Sequence, residues 1–206
     1  MSMRRQPRQA RSQERVNQIL DVAERLFVRD GYSSTTTNAI AQEAKVPIGS
    51  LYQFFPDKAA IIYALAERYN TQLRSVLLEL LSSNAEIPLE KYVEQIVDRV
   101  YRFFIDNPGL YAIFMNLQSS LTQLEEIEET ADNLLIEDFS DFLQRLYPNL
   151  EAEAYYSISF VLVKAIGNLL WISLGQPSER QVQLLQETKK LAVGYLHNCF
   201  HKPNAS

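Results

Sequence analysis

The fold is decided by residues 37–58, which read TNAIAQEAKVPIGSLYQFFPDK. Apolar residues recur at helical spacing in both halves of this stretch. They are Ile40, Ala41 and Ala44 in the first half, and Ile48, Leu51 and Phe55 in the second. The pattern predicts two short helices joined by a tight turn, a helix-turn-helix.

A third apolar stripe precedes this motif and supplies the partner that two short helices need. Its residues repeat at the spacing of one helix face: Ile19, Val22, Ala23, Leu26 and Phe27. The stripe stops before Gly31, and glycine suits a helix C-terminus. We therefore expect an N-terminal arm and three-helix domain over residues 1–56.

The outer face of the second motif helix is the candidate functional surface. If the apolar stripe turns inward, the residues left outside carry an amide, a hydroxyl and no charge, which suits the DNA major groove. Gln53 has the amide that pairs with adenine, Ser50 can meet a base edge or phosphate, and Gly49 lets the backbone come close. The candidate DNA-binding residues of the motif are Thr36, Thr37, Pro47, Ile48, Gly49, Ser50, Tyr52, Gln53 and Phe54.

Three of these residues have additional expected roles. Thr36 is placed to cap the first motif helix, and Pro47 is expected at the first position of the second helix, where a missing N–H costs nothing. Tyr52 could give its hydroxyl to a phosphate.

Positive charge is concentrated at the N-terminal end of the chain. The net charge is −5, but residues 1–60 carry +3 and residues 61–206 carry −8. The first fifteen residues carry +4, and four of their arginines are candidate DNA contacts: Arg4, Arg5, Arg8 and Arg11. A flexible basic arm of this kind commonly docks on phosphates or enters a minor groove. A disordered, solubilising tail is the alternative.

Over about residues 15–60 the chain resembles the N-terminal signature of the TetR family of transcriptional regulators. The matching residues are Gly31, Tyr32, Thr35, Thr36, Thr37, Ile40, Ala41, Ala44, Val46, Gly49, Ser50, Leu51, Tyr52, Phe55 and Lys58. In two places the chain departs from the family: Lys45 stands where a turn glycine is usual, and Pro47-Ile48 replace a more common Ser-Lys pair. The resemblance implies homodimers, a small-molecule effector in the second domain, and a phosphate contact by Lys58, for which a solvated lysine is the alternative.

Residues 57–206 are expected to form a helical regulatory and dimerisation domain. Residues 57–82 contain no Gly or Pro, and their apolar residues fall along one side at helical spacing, so one rod should run from the motif into this domain. Four further helices are expected at about residues 89–106, 124–146, 151–174 and from 178 onward, with a short apolar segment over 110–121. The fold class is therefore all-α.

The region around residues 101–118 offers more aromatic surface than one helical stripe requires. It could line an apolar pocket with a few polar anchors, or it could be ordinary core. Lys164 could meet an anionic ligand group or pair with an acid of its own chain. The candidate ligand-binding residues are Tyr101, Phe104, Tyr111, Phe114, Met115, Gln118, Phe160, Lys164, Asn168 and Trp171.

The helix expected over residues 151–174 has two apolar faces and so needs two partners. We expect it and the last helix to pair with their copies in a second chain as a four-helix bundle. The candidate dimer residues are Ile158, Leu162, Ala165, Leu169, Ile172, Leu184, Leu191 and Tyr195.

No catalytic, metal or cofactor site is expected. Six glycines form no phosphate-binding loop, and His197 and His201 lack a third ligand of the Cys/His type besides Cys199. The first eighteen residues contain no apolar signal region, and the apolar stretch 158–174 is interrupted by Lys164 and Asn168, which favours a buried helix over a membrane span. We therefore expect a cytoplasmic protein that is not an enzyme.

Together these features predict a homodimeric DNA-binding transcriptional regulator, a repressor that a small apolar or amphipathic ligand releases from a palindromic operator. Its partners would be double-stranded DNA, a second copy of the chain and the effector, with no membrane. Two alternatives stay open: a DNA-binding regulator without a small-molecule effector, and a helical interaction protein that has lost DNA binding.

Overall fold

The computed structural model describes residues 6–82, 87–115, 117 and 121–200. All regular structure in these ranges is α-helical, which confirms the predicted fold class. The helices are α1 Gln6–Asp30, α2 Thr37–Glu43, α3 Ile48–Phe54, α4 Lys58–Leu81, α5 Leu89–Asp106, α6 Pro108–Phe114, α7 Thr122–Leu146, α8 Ala152–Ser173 and α9 Ser178–Phe200.

The first compact unit comprises residues 1–69 and 109–127. Its fully buried side chains include the apolar positions predicted for the three-helix domain, because each stripe turns inward. They are Ile19 and Leu26 on α1, Ile40 on α2 and Leu51 on α3, joined by Ile61, Ile62 and Leu65 of α4. The unit therefore extends beyond the expected boundary at residue 56.

Two sets of contacts attach α4 and α6 to this first unit. Arg68 of α4 donates to Asp21 and Glu24 of α1, both at 2.6 Å. At the start of α6, a Cβ on Gly109 would lie only 2.6 Å from the Glu24 carboxylate, so the absence of a side chain allows this close approach. These polar contacts are invisible to apolar periodicity, which is why the sequence placed α6 in the other domain.

The second unit comprises residues 70–108 and 128–206. Within it α9 packs against both α5 and α8. Its core is apolar and includes Leu77, Val97, Leu143, Tyr155, Leu162, Leu170 and Leu196. Arg74 of α4 joins α7 through two hydrogen bonds to Asp138, at 2.6 and 2.9 Å, so α4 is anchored in this unit as well.

The expected single rod after the motif is α4, one uninterrupted helix of 24 residues. α8 is the other notable long helix, because by length and composition alone it could cross a membrane. Only 33% of its most apolar window is buried inside the protein. Its apolar residues thus serve two faces, one in the core of the second unit and one exposed.

Candidate nucleic-acid interface

α2 begins at a side-chain cap. Thr36 has an extended backbone, with φ −113° and ψ 153°, and its hydroxyl oxygen accepts a hydrogen bond from the Ala39 N–H at 3.1 Å. The predicted capping role of Thr36 is confirmed, because this bond satisfies one of the helix's unpaired N–H groups.

α3 begins one residue later than expected. Pro47 lies outside the helix as its N-cap, with φ −58° and ψ 137°, and Ile48 takes the first helical position. The Pro47 carbonyl still accepts from Ser50 and Leu51, which starts the helical hydrogen-bond pattern. The proline therefore fixes φ at the entrance to α3 without interrupting it.

The turn between α2 and α3 contains the structure's one described non-glycine residue with positive φ, Lys45 at 52°. The backbone there is held by hydrogen bonds from Lys45 N–H to Gln42 O and from Val46 N–H to Ala41 O. The Gln18 side chain of α1 adds a bond of 2.9 Å to Ala44 O. The departure from a turn glycine thus keeps the turn but places a lysine in the left-handed region.

α3 has a buried side and an exposed side. Leu51 is fully buried and Phe55, just after the helix, is 5% exposed, as expected. Ile48 was expected to turn inward with them, but it is 38% exposed because it starts the helix at the edge of the small core. We call the exposed residues Ile48, Gly49, Tyr52 and Gln53, with half-buried Ser50, the α3 outer face.

Tyr52 and Thr37 connect the two motif helices at this surface. Their hydroxyl oxygens lie 3.0 Å apart, and either can be the donor. Tyr52 remains 49% exposed. A hydroxyl pair keeps unused donor and acceptor capacity, so the expected phosphate contact by Tyr52 is compatible with this bond.

Gly49 lies on the open side of the same helix. A Cβ built at this position meets nothing within 4 Å. The protein's own packing therefore gives no reason for a glycine here.

The basic arm is helical where the structure describes it. α1 starts at Gln6, so residues 6–15 are not the flexible segment that the sequence favoured. Arg11 and Arg15 are exposed on this extension. Arg4 and Arg5 lie outside the described residues, as does the side chain of Arg8.

Lys58, expected at a phosphate, points back into its own unit. Its ammonium donates to the carbonyls of Tyr32 at 2.5 Å, Thr35 at 2.8 Å and Ser33 at 3.5 Å. It also lies 4.2 Å from the centre of the Tyr32 ring. Burial lowers the pKa of Lys58 from its ordinary value.

The sequence did not predict these contacts of Lys58, although the position of the lysine gave one hint of them. A lysine in the first turn of a helix is disfavoured by the helix dipole, which hints that some other group stabilises it. The acceptors are backbone carbonyls, and residue types do not reveal where carbonyls point. The residue types at Tyr32, Ser33 and Thr35 therefore gave no sign that their carbonyls would bind Lys58.

The predicted ligand-binding residues are divided between the two units. In the second unit the rings of Phe104 and Trp171 meet edge to face at 5.7 Å, and Tyr101 donates to Gln181 at 3.1 Å. Lys164 pairs with Asp132 at 2.5 Å. Of the two roles expected for this lysine, this is the pairing with an acid of its own chain. Also in this unit, Phe160 and Asn168 are exposed on α8.

The remaining ligand candidates belong to the first unit or are outside the description. Phe114 is 4% exposed and packs edge to face against Tyr69, with ring centres 6.2 Å apart. Met115 is 46% exposed, Tyr111 is half-buried, and Gln118 lies outside the described residues.

The predicted dimer residues of α8 fall on two different faces. Ile158 and Leu162 are 8% and 2% exposed in the core of their own unit, so they are unavailable to a second chain. Both faces of α8 are apolar, and periodicity could not tell which one turns inward. We call the exposed apolar residues the α8 outer face: Tyr156, Phe160, Val161, Leu169 and Ile172.

The other dimer candidates are at least partly exposed. Ala165 of α8 is half-buried, as are Leu184 and Tyr195 of α9. Leu191 of α9 is 48% exposed. These four positions leave part of each side chain accessible.

Two family models match the chain. The model for bacterial regulatory proteins of the tetR family matches residues 19–65, which contain the helix-turn-helix. The model described as Tetracyclin repressor-like, C-terminal domain, matches residues 88–196, more than half of the chain.

The chain is also similar in sequence to individual HTH-type transcriptional regulators. The HTH-type transcriptional regulator AcrR of Shigella flexneri is 27% identical over 144 residues, covering 69% of this chain and 67% of that protein. YuxN of Bacillus subtilis (strain 168), an HTH-type transcriptional regulator, is 24% identical over 159 residues, covering 76% of this chain and 53% of that protein. The chain thus spans about half the length of YuxN.

The fold is shared with solved structures. A TetR-family transcriptional regulator from Streptomyces coelicolor superposes with a TM-score of 0.67 at 21% identity, covering 89% of this chain and 98% of that one. Since the family models account for both the helix-turn-helix and the helical region behind it, this chain belongs to the TetR family of transcriptional regulators, which are not enzymes.

Proposed function

We propose that this chain acts in the cytoplasm as a homodimeric repressor that binds a palindromic operator and leaves it when a small apolar or amphipathic ligand binds the second unit. The observation that carries the DNA-reading part is the α3 outer face. Leu51 anchors α3 in the core, while Gly49, Tyr52 and Gln53 are exposed on its other side. A helix held this way can present its first turns to the major groove.

The chemistry of this face supports reading of bases. Gln53 can form a bidentate pair with adenine, and Ser50 can bond a base edge or phosphate. The open space at Gly49 permits the helix backbone to approach the DNA closely. Exposed Arg11 and Arg15 on α1 supply positive charge for phosphates beside the operator.

Dimerisation is supported by the α8 outer face. Ile172 is 62% exposed, Phe160 and Val161 are each 43% exposed, and together they form an apolar surface that water solvates poorly. Two copies packing through this face and through exposed Leu191 of α9 would bury both in a symmetric interface. Two readers one helical turn apart, about 34–36 Å, would then meet a two-fold symmetric site.

Selection of DNA by the full-length protein from a randomised duplex pool tests this function. We expect an inverted repeat whose half-sites are separated by a whole number of helical turns, and sedimentation of the free protein as a dimer at micromolar concentration. Recovery of single half-sites, or a monomer, contradicts the dimeric reader. Failure to select any DNA would favour an interaction protein that has lost DNA binding.

A regulator without a small-molecule effector is the second candidate. It is favoured by the Lys164–Asp132 pair and the Phe104–Trp171 contact, because these groups already have partners inside the chain. A compound screen that reads both melting temperature and operator affinity distinguishes the two candidates. A compound that raises the melting temperature and weakens operator binding supports the effector, and none in a broad apolar library supports the second candidate.

A further inference from the structure

Ile48 is the one aliphatic side chain on the α3 outer face. It takes the first helical position, directly after Pro47, and it is 38% exposed although an apolar residue at this spacing was expected to turn inward. A single exposed apolar residue needs no explanation on most of a protein's surface. Here it belongs to the surface that we propose enters the major groove, so its role depends on what it can contact there.

The neighbours of Ile48 allow its side chain to come close to the edges of the bases. Tyr52 follows one helical turn later and so lies on the same side of α3, where its hydroxyl is 3.0 Å from that of Thr37. A side chain as short as isoleucine touches a base only if the helix backbone approaches the DNA closely. The next residue, Gly49, permits this approach, because a Cβ built there meets nothing within 4 Å.

The chemistry of isoleucine limits what Ile48 can recognise in the groove. Its side chain has no hydrogen-bond donor or acceptor, so it forms no hydrogen bond with a phosphate or with the polar edge of any base. The major groove presents donors and acceptors on all four base pairs, and its one apolar group is the C5-methyl of thymine. An aliphatic side chain packed against any other base would shield polar groups from water without replacing their hydrogen bonds. Ile48 therefore favours thymine and disfavours the other three bases.

The stiffness of the side chain makes this contact selective. A β-branched residue in a helix keeps one strongly preferred χ1 rotamer, so Ile48 loses little conformational freedom when it meets a base. A lysine, which is more common in the family at this position, is longer, flexible and charged, and it can reach several acceptors. The isoleucine of this chain thus gives up a charged contact for discrimination at one base pair.

We propose that Ile48 reads the methyl group of one thymine in each half-site of the operator. Together with Gln53, which has the amide for adenine, it gives the α3 outer face two independent criteria, one apolar and one polar. This inference rests on the proposed reading of DNA by the α3 outer face and names a base that the operator must contain.

Replacing thymine by deoxyuridine tests the inference with the wild-type protein. The exchange removes the methyl group and leaves every hydrogen-bonding group of the base pair in place. Each thymine of the selected duplex is replaced in turn, at the same position of both half-sites, and the full-length protein is titrated with each duplex. At one position we expect affinity to fall about fourfold per half-site, hence about 15-fold for the dimer, because one buried methyl group is lost.

Matched variants assign the methyl contact to Ile48. Ile48→Ala should bind the thymine operator more weakly and lose the thymine preference, while Ile48→Val keeps a branched side chain and should retain most of it. Gln53→Ala should weaken binding but keep the full preference for thymine over deoxyuridine. Val182→Ala truncates an aliphatic side chain that is 56% exposed on α9, and it is the control that should change neither affinity.

The outcomes separate this inference from the proposed function. A selected half-site in which no thymine is sensitive to deoxyuridine overturns the inference and leaves the proposed function standing. So does a thymine preference that persists undiminished in Ile48→Ala, because another group then reads the methyl. If the wild-type protein selects no DNA, the proposed function fails, and the reading of thymine by Ile48 fails with it.

Discussion

The α3 outer face and the α8 outer face are both exposed sides of helices whose other sides are buried, yet their chemistry differs. The first carries an amide, two hydroxyls and a glycine beside one isoleucine, Ile48, which is 38% exposed. The second carries aromatic and branched apolar side chains, with Ile172 62% exposed. Water satisfies the polar groups of the first surface as well as a partner would, whereas the second surface remains unfavourably solvated until something covers it.

This difference indicates what each surface can bind and when. A polar, uncharged face makes directional hydrogen bonds, so it can discriminate between bases and bind reversibly. An apolar face gains free energy from burial without much regard to direction, which suits a long-lived contact with its own copy. The comparison therefore predicts that changes on α8 alter assembly, and that changes on α3 alter DNA binding without altering assembly.

A charge placed on the α8 outer face should have the largest effect on assembly and operator affinity. Ile172→Glu places a charge at a position already 62% exposed, so the single chain should fold normally while the dimer dissociates. Affinity for a palindromic duplex should fall about 100-fold or more, because two half-sites are no longer bound together. Sedimentation and operator titration check this. Val28→Glu places the same charge at an exposed position of α1 and is the control, so this variant should remain dimeric.

Removing the amide from α3 should have the next largest effect, confined to specificity. Gln53→Ala loses one bidentate base contact per half-site, worth about 1–3 kcal/mol of discrimination. Competition titrations should show weaker binding to the selected operator and unchanged binding to random duplex. Gln186→Ala, an exposed glutamine on α9, should leave both unchanged. Equal loss on both duplexes would mean that Gln53 does not read a base.

Gly49→Ala should separate stability from binding. A Cβ there meets nothing within 4 Å, and alanine is the better helix former, so the free energy of unfolding should stay constant or rise by up to about 1 kcal/mol. Operator affinity should nevertheless fall about tenfold, 1.4 kcal/mol, if the backbone approaches DNA at this point. Gly194→Ala on α9, which is likewise exposed and has nothing within 4 Å of a built Cβ, is the control for helix propensity. Undiminished affinity in Gly49→Ala argues against close approach.

The sequence predicted the apolar framework of the first unit well. Ile19, Leu26, Ile40 and Leu51 are all buried, because a single narrow apolar stripe leaves a helix one way to face its core. The same reasoning failed on α8. There Ile158 and Leu162 entered the core of their own unit, since a helix that is apolar on two sides offers two equivalent orientations.

The contacts of polar side chains could not be predicted from the sequence for a different reason. The ammonium of Lys58 bonds three backbone carbonyls, and the Glu24 carboxylate lies so close to Gly109 that a side chain there would collide with it. Such contacts depend on loop conformation and on residues far apart in the chain. Hydrophobic periodicity describes one helix at a time, so it predicts neither the loop conformation nor the contacts between distant residues.

The smallest effect is expected at the turn that supports the α3 outer face. Lys45 has φ 52°, a conformation that costs a residue with a side chain about 1–2 kcal/mol, while glycine costs about 0.4–1 kcal/mol more than other residues to order on folding. Lys45→Gly should therefore raise the free energy of unfolding by roughly 0.5–1 kcal/mol and the melting temperature by about 1–4 °C. Lys45→Ala loses the same charge but keeps the strained φ, so it should show no such gain in thermal denaturation. Because both variants lack the lysine, any loss of operator affinity that they share reports its charge, and a loss confined to Lys45→Gly would show that the stiffness of this turn is what holds α3 for reading.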